Sequence, residues 1–259
     1  MTFRKFVLIF VSTLFLSSCG NGWIPISVDE TLGSQSASQI NQGAMSMEIL
    51  DETEHATSYK YLNKLKDKIL ASGKVKHSKD FNWELKIIKD DSVLNAFCLP
   101  GGYIYVYTGL MKYLDSEDAL AGVLGHEMAH ADLRHGTTQM VKNMGLSLGL
   151  QLIFGGDASQ LVNIGANLIS LSFSRGDEKE ADMRSVEYLY ETELDARGTG
   201  IFFDKLQKEE KDAGVVEFLS THPNPENRVE EINRKWKELG GKKGKNNKEA
   251  YQKMLKSLP

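Results

Sequence analysis

The stretch HEMAHADLRH, residues 126–135, decides how the rest of the chain is read. A long helix is predicted from about Asp115, with Asp115 and Asp118 as a carboxylate capping pair. It should run through this motif and stop at Gly136, a residue suited to the position just past a helix end. His126 and His130 are four residues apart on it. They therefore lie about 40° apart around the axis and one turn along it, so both imidazoles can reach one ion. Glu127 is offset by one residue, where it can take a proton from a water activated by that ion. This is the logic of H-E-x-x-H. Two incidental histidines on a helix would give the same letters, so the remaining sequence has to support the reading.

The third histidine is tested by angle. His135 lies nine residues beyond His126, a rotation of about 900° that puts it on the opposite side of an unbroken helix. It is expected to be a C-terminal histidine facing the helix dipole. The metzincin pattern H-E-x-x-H-x-x-G-x-x-H is not met, because Leu133 stands at its glycine and Gly136 at its last histidine.

Another ligand must then come from elsewhere, and thermolysin-like sites take a glutamate from a second helix. RGDEKEADMRSVEYLYE (175–191) offers several acids. Ala181, Asp182, Ser185 and Leu189 fall within about 60° of Glu178 around that helix, which makes a small or apolar face holding two acids. Glu180, Arg184, Glu187 and Glu191 fall on the far side and read as solvated. Glu178 is thus the expected third ligand, with His126 and His130, of one zinc ion per chain. Asp182, one turn on, is placed to accept the N–H of a ligand histidine.

The chain around this motif is long enough to bury a core: 259 residues, 41% hydrophobic and 25% charged. A net charge of −4 and the lack of a basic stripe interleaved with aromatics argue against a nucleic-acid partner. Arg4 and Lys5, then FVLIFVSTLFL (6–16), form the first two regions of a secretory signal, too short to span a membrane with normal flanks. LSSC (16–19) resembles a bacterial lipobox. It implies a signal peptide over 1–18, a lipidated Cys19 anchoring the chain to a membrane, and a tether over 19–28. Gly20 follows where an aspartate would favour inner-membrane retention, so the expected location is the outer membrane, facing the periplasm. Cys98 is then the one thiol left, and no internal disulfide is expected.

The coarse pattern is α+β: mostly helical, with a small early sheet. A weakly patterned helix starts near Asp29, another covers 57–70, and strands are expected within 82–90 and 96–109. Residues 138–173 read as an apolar helical hairpin, a lid or a membrane contact. Helices follow near Gly176, over about 199–212, and from Asn224 onward. A metallopeptidase domain over 29–239 is then followed by a basic linker and tail over 240–259.

HEMAH, followed by SFSRGDEKEAD (172–182), resembles the HtpX-like and CAAX-prenyl-protease-type family of gluzincin metallopeptidases. Ser174, Arg175, Glu178 and Asp182 match that family's S-R-x-x-E-x-x-x-D position by position. NAFCLPGGYIYVYTGLM (95–111) and THPNPENR (221–228) also fit, so the likeness covers roughly residues 25–240. The resemblance implies a zincin-type domain whose early strand, with Gly102, Tyr103 and Tyr105, is an open edge near the active site on which an extended peptide lies. It also brings His222 forward, as a displaceable ligand, as a donor to the developing oxyanion, or as a structural histidine in the turn before Pro223. Arg228 is expected to ion-pair and fix this loop. The chain lacks the several hydrophobic spans of the family's membrane-embedded members. It is most similar to the lipid-anchored periplasmic branch, which acts on proteins of the cell envelope in quality control. The function implied is a zinc-dependent endopeptidase with Glu127 as base. The alternative is a chaperone-like assembly factor with a structural zinc.

Overall fold

The computed structural model describes residues 24–43, 45–144, 165–208, 218, 220–223 and 227–259. The expected signal peptide, Cys19, the first part of the tether and the middle of the expected apolar hairpin (145–164) lie outside the described residues. The elements in chain order are α1 (Ile26–Asn41), α2 (Ala56–Leu70), β1 (Glu84–Ile88), β2 (Ala96–Leu99), β3 (Tyr103–Tyr107), α3 (Thr108–Tyr113) and α4 (Glu117–Asp132). They continue as α5 (His135–Met144), α6 (Arg175–Tyr190), α7 (Gly198–Lys208), α8 (Arg228–Glu238) and α9 (Lys248–Leu255). This is the expected α+β, mostly helical class with one small sheet.

Helix α4 organises the molecule, since all 16 of its residues are buried. A helix enclosed on every side needs small residues where its neighbours come closest. Gly122 and Gly198 mark such an approach. A methyl group on Gly122 would lie 2.0 Å from the Thr199 nitrogen, and one on Gly198 would lie 1.8 Å from the Asp118 carbonyl oxygen. Helices α4 and α7 therefore meet backbone to backbone. Overpacking a tight core costs about 1–3 kcal/mol, and the atoms in the way here are main chain. Gly122→Ala should sit at or above the upper end of that range, read as a lowered midpoint in urea unfolding with unchanged m.

The sheet has the order β1-β3-β2, with β1 parallel and β2 antiparallel to β3. Its two faces bury different side chains. Leu85, Ile87, Ala96, Ile104 and Val106 join the main core with α2 and α4. Ile88, Phe97, Leu99, Tyr105 and Tyr107 pack with Val28, Leu32 and Ile40 of α1. The alternation of aliphatic and aromatic residues along β3 thus reflects two covered faces.

Three local expectations are corrected. The N-terminus of α4 has Ser116 at the cap position with no side-chain cap; the Ser116 hydroxyl instead donates to Asp118. The Glu117 N–H at that end is satisfied by the Asn246 carbonyl, 3.0 Å away. That contact belongs to the second correction, because residues 240–259 are part of the domain and not a linker and tail. Tyr251 of α9 is fully buried, and its hydroxyl donates to the Met111 carbonyl at 2.6 Å. The lysines around it mask a short apolar face formed by Tyr251, Met254 and Leu255.

The third correction concerns the end of the motif helix. It stops at Asp132, four residues before Gly136, and α5 begins at His135. The reversal is made by Arg134, in the left-handed region at φ 61°. That conformation costs a non-glycine residue about 1–2 kcal/mol. A buried ion pair offsets it: Arg134 donates to Asp29 Oδ2 from Nε (2.9 Å) and Nη2 (2.6 Å), and to the Pro25 carbonyl. Thr137 also donates to Asp29, at 2.5 Å. The partner that breaks the helix comes from α1, about a hundred residues earlier in the chain.

Candidate metal centre

Helices α4 and α6 pack along each other, and the faces chosen by helical angle turn inward. His126 Nε2 and His130 Nε2 lie 3.0 Å apart. Glu178 reaches between them, with Oε2 3.4 Å from His126 Nε2 and Oε1 3.3 Å from His130 Nε2. His222 enters from the loop before α8, its Nδ1 3.1 Å from Glu178 Oε1 and 3.4 Å from His126 Nε2. One donor atom from each of these four buried residues lies within 4.8 Å of all the others.

Hydrogen bonding alone does not account for this convergence. Glu178 Oε2 and Glu127 Oε1 are buried with no hydrogen-bond partner, although Glu178 Oε2 also lies 2.9 Å from Arg228 Nη1. Two of the ring nitrogens facing away from the centre are already engaged. His126 Nδ1 is 2.9 Å from Asp182 Oδ1, and His130 Nδ1 is 3.0 Å from His135 Nδ1. With Nδ1 protonated, each Nε2 presents a lone pair to the centre. Imidazole nitrogens and one carboxylate are a donor set that suits zinc.

Burial and close contact shift these groups in opposite directions. Burial opposes a charged His126, yet the hydrogen bond to Asp182 and the nearby Glu178 carboxylate outweigh it and push this histidine up to about 9. For His130 burial dominates and holds it well below its ordinary value, with the charge of His126 adding to the effect. Glu178 is also opposed by burial, but His222 and the close His126 and His130 rings keep it far below the usual carboxylate range. Burial raises Glu127, partly offset by His222 and His126.

Asp182 is gripped from its other side. Arg228 donates to Asp182 Oδ2 from Nε and to Oδ1 from Nη2, both at 2.7 Å. The guanidinium lies 3.7 Å above the Phe203 ring and is itself buried. Instead of merely fixing its loop, Arg228 ties α8 to Glu178 and Asp182 of α6.

Two site expectations change. The strand of Tyr103 and Tyr105 is not an edge, because β3 is central and paired along both sides, and Gly102 lies in the turn just before it. Tyr105 is a core residue stacked on Phe97 at 4.9 Å, with its hydroxyl bonded to Asn41. Gly102, at φ 89°, leaves room for Trp83, and Tyr103 lines a surface hollow with Asp80 and Asn82. The strand beside α4 that pairs on one side only, among the described residues, is β2. Alternation drew attention to β3, but strand order is not written in alternation. The second change is His135, which the early end of α4 brings against His130 instead of to the far side.

Two aromatic supports went unread in the sequence. Phe173 stacks on His130 at 3.9 Å, and Phe218 stacks on His222 at 4.8 Å. Phe173 immediately precedes Ser174, whose capping box with Asp177 starts α6, so the same turn that begins the helix delivers the ring.

A helix bearing H-E-x-x-H, joined by a glutamate from a second helix, defines a zincin type of metal centre. Residues 57–236 match the model of peptidase family M48, and the chain belongs to that family, whose metallopeptidases use zinc. It is 35% identical over 153 residues to the mitochondrial metalloendopeptidase OMA1 of Arabidopsis thaliana, covering 59% of this chain and 31% of that protein. Metalloprotease LoiP of Escherichia coli is 32% identical over 162 residues, 58% of this chain and 61% of its own. The beta-barrel assembly-enhancing protease of Yersinia pestis is 27% identical over 183 residues, 65% of this chain and 37% of its own. The match spans 31%, 51% and 32% of three OMA1 relatives. No helix among the described residues is long and apolar enough to cross a membrane.

Proposed function

We propose that this protein is a zinc-dependent endopeptidase that cuts misfolded or unassembled proteins of the cell envelope. One observation carries the reading: His126, His130 and Glu178 converge in a buried cluster, and the adjacent Glu127 keeps one carboxylate oxygen without a partner. His126, His130 and Glu178 would hold the ion. When bound, zinc would polarise the scissile carbonyl and lower the pKa of a water to about 7. Glu127 takes the proton of the attacking water and passes it to the leaving amine. His222 stands with Nδ1 toward the cluster and Nε2 3.6 Å from Glu127 Oε1. It can fill a fourth position at rest or donate to the oxyanion that develops on the substrate. Asp182 and Arg228 hold the ligand helices in register.

An extended peptide would add to the side of β2 that is unpaired among the described residues, where main-chain hydrogen bonds give affinity without demanding a sequence. The envelope location rests on the signal-like N-terminus with Cys19, and on the named roles of the bacterial relatives. Purified protein should contain one zinc per chain and cleave casein. A chelator should abolish cleavage and added zinc restore it, while Glu178→Ala should bind less than one equivalent. Full cleavage by thoroughly demetallated protein would overturn the reading.

A further inference from the structure

A histidine that binds a metal through Nε2 carries its proton on Nδ1, and a buried N–H needs an acceptor. His126 has the carboxylate of Asp182 for this purpose, 2.9 Å away. Among the described residues no carboxylate meets the corresponding atom of His130; the group there is His135, Nδ1 to Nδ1 at 3.0 Å. Two such nitrogens make a hydrogen bond only if one is protonated and the other bare. A ligand His130 is the donor, which leaves His135 bare at Nδ1 and protonated at Nε2. That second proton faces Glu180 Oε2 at 3.6 Å and Asp177 Oδ1 at 3.8 Å. The chain of donors therefore ends on the acidic first turns of α6, the helix that also supplies Glu178.

We infer that His135 is a positioning residue for His130: its bare Nδ1 fixes the tautomer and ring plane in which His130 presents Nε2 to the metal. The inference rests on the zinc reading above. It depends on the early end of α4, since an unbroken helix would place His135 about 900° from His126 and away from the centre. The left-handed Arg134, held by Asp29, is what turns His135 back. His135 is itself 5% exposed, so no bulk water substitutes readily for its acceptor. The two ligand histidines are thus supported unequally, one by an anion clamped by Arg228 and one by a neutral ring.

The test compares three proteins by zinc affinity in competition with a chelator. His135→Phe keeps a ring and removes the acceptor. His135→Asn places its amide oxygen close to where Nδ1 was. Loss of such an outer partner weakens metal binding about 10–100-fold, and that is the result expected for His135→Phe. His135→Asn should recover most of the wild-type affinity, and the metal-free melting temperatures of the two variants should not follow the same order. Equal zinc affinity in His135→Phe and wild type, or equal losses in both variants, would overturn the inference. Glu178→Ala is measured alongside. If it loses zinc while His135→Phe does not, the inference alone fails. If wild type binds no zinc, the zinc reading fails and takes the inference with it.

Discussion

Glu127→Gln should keep one zinc per chain and lose proteolysis by about 10²- to 10⁴-fold, the usual contribution of a general base. The geometry separates the two effects. Glu127 is absent from the group of four residues whose donor atoms converge, so an isosteric amide leaves the metal donors in place. Its Oε1 is buried and free of hydrogen bonds, which fits an oxygen kept available for an incoming water. An amide oxygen still orients that water but cannot carry its proton to the leaving nitrogen. Metal analysis and casein cleavage on the same preparations check both halves. Wild-type turnover by the variant would remove Glu127 from the mechanism. The chaperone-like alternative is addressed by complementation: full rescue of an envelope defect by Glu127→Gln would mean that clients are held, not cut.

Arg228→Ala should destabilise the zinc-free protein by about 3–5 kcal/mol, the range for removing one partner of a buried ion pair. Arg228, Glu178 and Asp182 are each no more than 1% exposed. Without the guanidinium, two carboxylates on α6 remain in the interior with only histidines to face. Arg228→Lys should recover part of the loss, since one ammonium cannot reproduce the paired bonds to Asp182 or the stacking on Phe203. Urea unfolding in the presence of a chelator measures this directly. A change below about 1 kcal/mol, typical of an exposed pair, would contradict the burial.

Much of the centre is legible in the sequence because its information is local. Spacing within one helix places His126, Glu127 and His130, and angle within another separates Glu178 and Asp182 from Glu180 and Glu187. Helical geometry is periodic, so such inferences need only the sequence of one element. What failed was non-local. The helix ends early because Arg134 meets Asp29, and no window around residue 134 contains residue 29. The tail joins the core through Tyr251 and Met111, again far apart in the chain. Strand order placed β3 in the middle, while alternation reports only that two faces differ. Phe173 and Phe218 support histidines across turns that no periodicity describes.

The joint between Asp29 and Arg134 has a mechanical meaning as well. Residues before Ile26 lead directly into α1, so tension applied at the amino end enters the domain through this helix. Asp29 of this helix accepts from Arg134 and Thr137 at the turn, and the next residue after Arg134 is His135. A pull on the chain's leading end and the orientation of a metal-facing ring therefore share one turn of backbone.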